Sequence, residues 1–326
     1  MEGKPQEPQK YTIILYYKYT KIEDPEAFCK WNKEIGKKLG LTGRVIVALE
    51  GLNGTLEGTD ENIEEFCKEL RKIGTTNETL SMGNFSDIQI KTSAGTGKAF
   101  PKLRVRVRPE IVSLHLGDDN VDPNKLTGEH LPPEELKKWY EKNEDFIVVD
   151  MRNDYEFAVG RFKNSMNPDL ENFRDLPKQL NKLENIKNKK VLTVCTGGVR
   201  CEKASGFLLK KGFKNVYQLD GGMHKYMEKF PGEDFLGTLY TFDNRIVMDF
   251  GDSKNGKREV VGRCSNCEDK CETFSHCGEA SCYRHLVVCK SCLLKHGRIF
   301  CSLKCKTKYL FGKLLGRKSV PARLEN

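Results

Sequence analysis

The chain has 326 residues, 38% hydrophobic and 31% charged, with a formal net charge of +9. That composition suits a globular protein of two or three domains. It excludes a membrane-spanning protein, because no apolar run approaches the ~20 residues a bilayer requires. The N-terminus, MEGKPQEPQK, lacks the apolar core of a secretory signal. Without such a signal, 13 cysteines predict a reducing, cytoplasmic setting, with metal or catalytic thiols in place of disulfides. The charge is uneven: residues 253–326 hold 16 Lys and Arg against 6 Asp and Glu, and the remainder is close to neutral. A basic end on a neutral body points to a polyanion such as RNA, with a solubilising tail as the plain alternative.

In chain order, residues 1–10 are polar and predict no regular structure. Residues 12–19 pattern as a strand. Asp24 is placed to cap a helix with Pro25 at its first position. Phe28, Trp31, Ile35 and Leu39 then recur on one helical face until Gly40 closes it. Residues 44–49 alternate as a strand, 51–54 (Gly-Leu-Asn-Gly) predict a turn, and extended structure resumes at Thr55. A second helix is expected over 60–73, with Ile63, Phe66, Cys67 and Leu70 inward. Strands are expected near 87–91 and 102–108. The order βαββαβ predicts a ferredoxin-like α+β domain over residues 11–115, with Cys29 and Cys67 filling its core. Lys102, Arg104, Arg106 and Arg108 alternate with apolar residues and so share one strand face. That face suits RNA phosphates or, equally, the protective charge of a solvated edge strand.

Residues 125–235 predict an α/β domain. A helix start at 131–135 leads to Trp139, and a second helix, interrupted by Pro177, is expected over 169–185. The most informative stretch is 191–209, VLTVCTGGVRCEKASGFLL. Strand-like residues 191–194 run into Cys195. A loop of Thr196, Gly197, Gly198, Val199 and Arg200 follows. A helix is then expected from Cys201 to Lys211, ended by Gly212. A cysteine between a strand end and a helix N-terminus sits where main-chain N–H groups converge, at the positive end of the helix dipole. Both favour the reactive thiolate, and Arg200 adds a cation. Gly197 and Gly198 let the loop amides curl toward the sulfur. Cys201 sits in the first turn of the following helix, placed either to form a disulfide with an oxidised Cys195 or to pack beneath the loop.

Residues 236–326 change character. Cysteines come in pairs, Cys264/Cys267, Cys277/Cys282, Cys289/Cys292 and Cys301/Cys305, with Cys271 left over. Four close pairs suit two tetrahedral zinc sites of four thiolates each. An interleaved arrangement, pairs one with three and two with four, is favoured over a sequential one. So small an apolar content makes the metal the main source of folding energy there. His276, His285 and His296 are alternative ligands, read here as ordinary polar residues. Residues 304–323 carry seven basic and no acidic side chains, a helix for RNA or for packing on the zinc module.

The Cys195 loop resembles the active-site loop of rhodanese domains. Residues 146–152 (FIVVDMR), Tyr155 to Phe157, Gly160 to Phe162 and Asp220-Gly221-Gly222 match the same domain's surrounding segments. Arg161 stands where that family usually has His. Four residues separate Cys195 from Arg200, the sulfurtransferase length, whereas a cysteine phosphatase has five. Beyond this, EGLNGTL (50–56), FPKLRVRVRPEIV (100–112), VVDMRNDYEF (148–157), CTGGVRCEKAS (195–205) and FDNRIVMD (242–249) resemble the rhodanese-type tRNA uridine hydroxylases. The resemblance spans residues 11–250. It implies a tRNA substrate whose wobble uridine is oxidised to 5-hydroxyuridine with molecular oxygen, Cys195 being the essential nucleophile. It leaves the electron donor, the tRNAs and any protein partner open. The other function the loop allows is sulfur transfer through a persulfide on Cys195. That reading gives the N-terminal sandwich, the basic strand and the zinc module no task beyond docking.

Overall fold

The computed structural model describes residues 9–76, 79–251, 259–282, 284–315 and 324–325. The chain divides into two compact units, Met1–Thr127 and Gly128–Asn326. Of the N-terminal residues expected to lack structure, 1–8 lie outside the described residues.

In the first unit, β1 (Tyr11–Tyr19), α1 (Pro25–Lys38), β2 (Thr42–Ala48), β3 (Gly51–Thr59), α2 (Asp60–Lys72) and β4 (Ile90–Ala94) follow the βαββαβ order. They form the sheet β4-β1-β3-β2 with antiparallel neighbours, the ferredoxin-like arrangement. A further strand, β5 (Leu103–Val107), adds parallel to β2 and makes the sheet five-stranded. The helix starts follow from their caps. The Asp24 carboxylate accepts from the Ala27 N–H at 2.9 Å with Pro25 at the first position, and Thr59 caps α2. Phe28, Phe66, Leu70 and Phe85 are buried with Cys29, while Cys67 packs half-buried against them.

One segment differs from its sequence expectation. Residues 51–54 are not a turn; they begin β3, and the turn is Leu49-Glu50. The glycines serve close approach within the sheet. A Cβ on Gly54 would stand 2.4 Å from the Tyr16 ring, and one on Gly51, at φ 147°, would stand 2.1 Å from the Lys18 carbonyl oxygen. Glu50 and Asn53 instead clamp the peptide beyond β5. The Glu50 carboxylate accepts from the Ile111 N–H at 2.8 Å, and the Asn53 amide donates to the Ile111 carbonyl at 3.1 Å.

The second unit carries the parallel sheet β6-β10-β9-β7, built from β6 (Glu129–Leu131), β7 (Ile147–Asp150), β9 (Lys190–Val194) and β10 (Asn215–Leu219). Between and around these strands run α3 (Pro133–Glu141), α4 (Asp154–Val159), β8 (Gly160–Phe162), α5 (Val199–Lys210) and α6 (Gly222–Lys229). Residues Phe173–Ile186, expected as a helix, wind as a 3₁₀ helix with Pro177 inside it. Proline supplies no N–H for the i→i−4 ladder, so an α-helix is disfavoured there. Arg161, at the departure from the usual histidine, lays its guanidinium over the Phe157 ring at 5.1 Å.

After α6 come β11 (Phe235–Gly237), paired with β8, and the hairpin β12 (Leu239–Tyr240) with β13 (Val247–Met248). The cysteine-rich segment holds β14 (Phe274–His276), β15 (His285–Val287), α7 (Lys290–His296) and α8 (Leu303–Leu314), and β16 (Leu324–Glu325) pairs with β14. Phe274 and Val287 bury against Val159 and Tyr240, and Arg284 pairs with Asp154. Part of the expected basic tail is therefore α8. Tyr309 meets the Phe300 ring at 5.2 Å and Lys308 donates to the Ser281 hydroxyl at 2.6 Å. Arg317, Lys318 and Arg323 lie outside the described residues.

Candidate active site

Cys195 directly follows β9 and is buried. The following helix begins two residues earlier than its sequence pattern suggests, at Val199, with Gly198 as its N-cap at φ 103°. The loop is therefore tight, and its amides crowd the sulfur. The Gly198 N–H donates to Cys195 Sγ at 3.1 Å. Burial by itself raises the Cys195 pKa. The Cys201 thiol, the Arg200 charge and the main-chain N–H groups of Cys201 and Arg200 outweigh it and lower the pKa to about 6. The paired Cys201, buried and facing that thiolate, is pushed the other way. Of the two thiols, Cys195 is therefore the one whose ionisation the site favours.

The loop is braced from both sides. The main-chain N–H groups of Met223 and His224 donate to the carbonyls of Cys195 (2.9 Å) and Thr196 (3.0 Å). Gly222, at φ 69°, makes this approach possible, since a Cβ there would stand 2.7 Å from the Cys195 oxygen, the Thr196 oxygen and the Gly198 nitrogen. Arg200 turns inward and is buried. Its guanidinium forms a two-pronged pair with Glu156 at 2.7 and 2.9 Å and donates to the Thr196 hydroxyl at 3.2 Å. Asp150 and Arg152 make a second buried pair at the end of β7, at 2.7 Å. Glu202, the next residue of the CEKA segment, takes Gln218 and His130 at 3.0 Å each and ties α5 to β10 and β6.

The basic face also takes shape. Arg104 and Arg106 are exposed on β5, the edge strand of the sheet, and Lys102 and Arg108 are exposed at its two ends, while Val105 is buried and Leu103 and Val107 are half-buried.

The eight paired cysteines form two groups in the interleaved arrangement. Cys264, Cys267, Cys289 and Cys292 make one, and Cys277, Cys282, Cys301 and Cys305 the other, with all sulfurs in a group within 4.8 Å of one another. Cys267–Cys289 and Cys282–Cys301 are 3.7 Å apart, and Cys301–Cys305 3.5 Å. A tetrahedral ion with metal–sulfur bonds of ~2.3 Å separates its sulfurs by about 3.8 Å, so both groups fit such an ion. Main-chain N–H groups of Cys289, Cys292 and Cys301 point at sulfurs within them, as thiolate ligands require. Every cysteine is unbridged. His276 and His285 face each other at 3.1 Å and belong to neither group.

Two residues at the site lie in quoted motifs, yet motif reading assigns them no role. Glu156 sits within the DYEF segment, and only the burial of Arg200 demands a carboxylate there. Phe242 lies 42 positions from Arg200 in sequence, yet its ring centroid is 5.8 Å from the Arg200 guanidinium. No helix among the described residues is long and apolar enough to cross a membrane.

A parallel α/β domain presenting a buried, N–H-lined cysteine five residues before a buried arginine defines a protein of the rhodanese class. Family models agree by segment: UPF0176 acylphosphatase like domain over residues 11–111, rhodanese-like domain over 132–229 and rhodanase C-terminal over 236–306. The chain belongs to the tRNA uridine(34) hydroxylase family. It is 42% identical to the tRNA uridine(34) hydroxylase of Cytophaga hutchinsonii, over 91% of this chain and 90% of that one. Identity to the same-named protein of Bacillus velezensis is 39%, over 92% and 89%, and to that of Enterococcus faecalis 40%, over 91% and 90%.

Proposed function

We propose that the protein is a tRNA-modifying oxidoreductase that hydroxylates uridine 34, the wobble position, at C5, with Cys195 as nucleophile and molecular oxygen as co-substrate. The observation that carries this reading is the Cys195 loop. Its Gly198 N–H, the Arg200 charge and the Cys201 thiol favour a thiolate on Cys195, within a chain that matches tRNA uridine(34) hydroxylases along nearly its whole length. Uracil C5 is too electron-poor to meet oxygen readily. Addition of the Cys195 thiolate at C6 turns C4=O into an enolate with carbanion character at C5. Bond formation between C5 and oxygen then gives a C5 hydroperoxide. Two electrons and two protons from a thiol reductant cleave its O–O bond, leaving C5–OH and releasing water. Loss of the C5 proton expels the thiolate and restores the ring. Cys201, hydrogen-bonded to Cys195, is placed to rescue an oxidised Cys195 as a disulfide, which an external thiol reopens. The test is mass analysis of nucleosides from tRNA of cells with and without the gene. Loss of 5-hydroxyuridine derivatives supports the reading. Unchanged levels, with thiosulfate sulfurtransfer to cyanide by the pure protein, replace it with a persulfide carrier.

The tRNA is held by phosphate contacts from Lys102, Arg104, Arg106 and Arg108. Arg104→Glu with Arg106→Glu is expected to weaken tRNA binding and to flatten its salt dependence, because each lost phosphate contact removes a share of counterion release. Titrations of labelled tRNA at several salt concentrations check this; unchanged affinity and slope would mean a merely solvated edge strand. The two cysteine groups hold one structural zinc each, which supplies cross-links to a segment with little apolar core. Metal analysis of the purified protein is expected to return about two zinc per chain. A value near one would leave four thiols without a ligand role. The proposed setting is the cytoplasm, where tRNA and reduced thiols coexist.

A further inference from the structure

The tip of the β12–β13 hairpin, Phe242 to Arg245, has no task in the chemistry above, yet it is built with care. Asp243 is buried. Its carboxylate accepts from Arg245 Nε at 2.8 Å and Nη2 at 2.7 Å, from the Arg245 main-chain N–H at 3.0 Å and from the Thr241 hydroxyl at 3.3 Å. The Thr241 N–H closes the tip onto the Ile246 carbonyl at 2.8 Å. On this fixed tip Phe242 is left 46% exposed. Its ring is backed edge-on by Tyr240 at 5.2 Å and flanked by the Arg200 guanidinium at 5.8 Å. Arg200 is itself pinned by Glu156 and Thr196, so Phe242 is held beside the Cys195 loop by the loop's own cation.

A base that is to reach a buried sulfur must leave its stack, at a cost of a few kcal/mol. Something at the mouth of the loop must replace the lost stacking. One base–aromatic stack contributes about 1–3 kcal/mol, and a nearby Arg adds cation–π attraction. Resting on the tRNA-hydroxylase reading, we propose that Phe242 is the stacking platform for the target uracil, a specificity and positioning residue that receives the flipped base beside Cys195. The hairpin's ion pair keeps the ring in place before RNA arrives, so little ordering is needed on binding.

The test is a double-mutant cycle between protein and RNA. The full chain, carrying Cys195→Ser to prevent turnover, is titrated with an anticodon stem-loop bearing uridine or an abasic nucleotide at the target position. Phe242→Leu is expected to weaken binding of the uridine RNA by roughly 5- to 150-fold, the range for loss of one stack. It is expected to leave the abasic RNA within about twofold, and Phe242→Trp is expected to restore the uridine RNA. Equal weakening of both RNAs makes Phe242 a general contact and overturns the proposal. No weakening of either overturns it too, and leaves the ring as a docking point for another protein. The underlying reading is checked separately: wild-type protein that forms no 5-hydroxyuridine in tRNA sinks the hydroxylase assignment whatever the cycle returns.

Discussion

Cys195→Ser is expected to leave no detectable 5-hydroxyuridine in tRNA from a complemented null strain, with the protein folded and its metal content unchanged. The sulfur lies where the Gly198, Arg200 and Cys201 amides and the Arg200 charge stabilise an anion, and a serine hydroxyl remains protonated in the same place. The thiolate also sets the pH dependence. Its pKa is lowered to about 6, so the reactive form is present above that value and is lost as pH falls through it. Hydroxylation by pure protein should therefore fall on acidification through about pH 6, with no comparable change between neutral and mildly alkaline pH. Retention of most 5-hydroxyuridine by the serine variant would remove Cys195 from the mechanism. Cys201→Ala should reduce activity less, and mainly under oxidising conditions, if its role is to rescue the oxidised sulfur.

Glu156→Ala should cause a large loss of stability in the second unit. Glu156 is fully buried and is the two-pronged partner of Arg200, itself only 7% exposed. Removing one member of such a pair leaves a buried charge uncompensated, at a cost of about 3–5 kcal/mol. Removing both, with Arg200→Met, should cost less than the single change. The chain has two tryptophans, Trp31 in the first unit and Trp139 in the second. Denaturant unfolding followed by Trp139 fluorescence in a Trp31→Phe background isolates the unit that matters. A shift under 1 kcal/mol in that transition would mean that water reaches Arg200 and that the pair is not closed.

Much of this was legible because the informative residues lie close together in sequence. The cap Asp24, the βαββαβ order and the strand–Cys195–Gly–Gly–Arg200–helix run are local patterns, set by hydrogen bonds and periodicity within one or two turns. The errors are also physical. Gly51 and Gly54 carry the signature of a turn, but a glycine excluded by a neighbouring ring or carbonyl looks the same in sequence as one demanded by a positive φ. The 3₁₀ run at Phe173–Ile186 was heralded by Pro177, yet the period of its apolar residues is too close to that of an α-helix to separate the two. Contacts across long separations, Glu156 with Arg200 or Phe242 with Arg200, leave no spacing to read. They emerge only once the sheet has brought the chain back on itself. The interleaving of the cysteine pairs is of the same kind: spacing makes two groups of four, and topology chooses between pairings.

That interleaving has a consequence for how the protein is made. The span from Cys264 to Cys292 and the span from Cys277 to Cys305 overlap, so the first group is complete while the second still lacks Cys301 and Cys305. The parallel sheet and the Cys195 loop are complete by Lys229 and emerge earlier. A stalled or truncated chain ending between Cys292 and Cys301 would display a finished catalytic loop beside a half-tied segment with two unliganded thiols, Cys277 and Cys282. The second cysteine group is thus the last part of the chain to be completed, after the Cys195 loop has already been laid down.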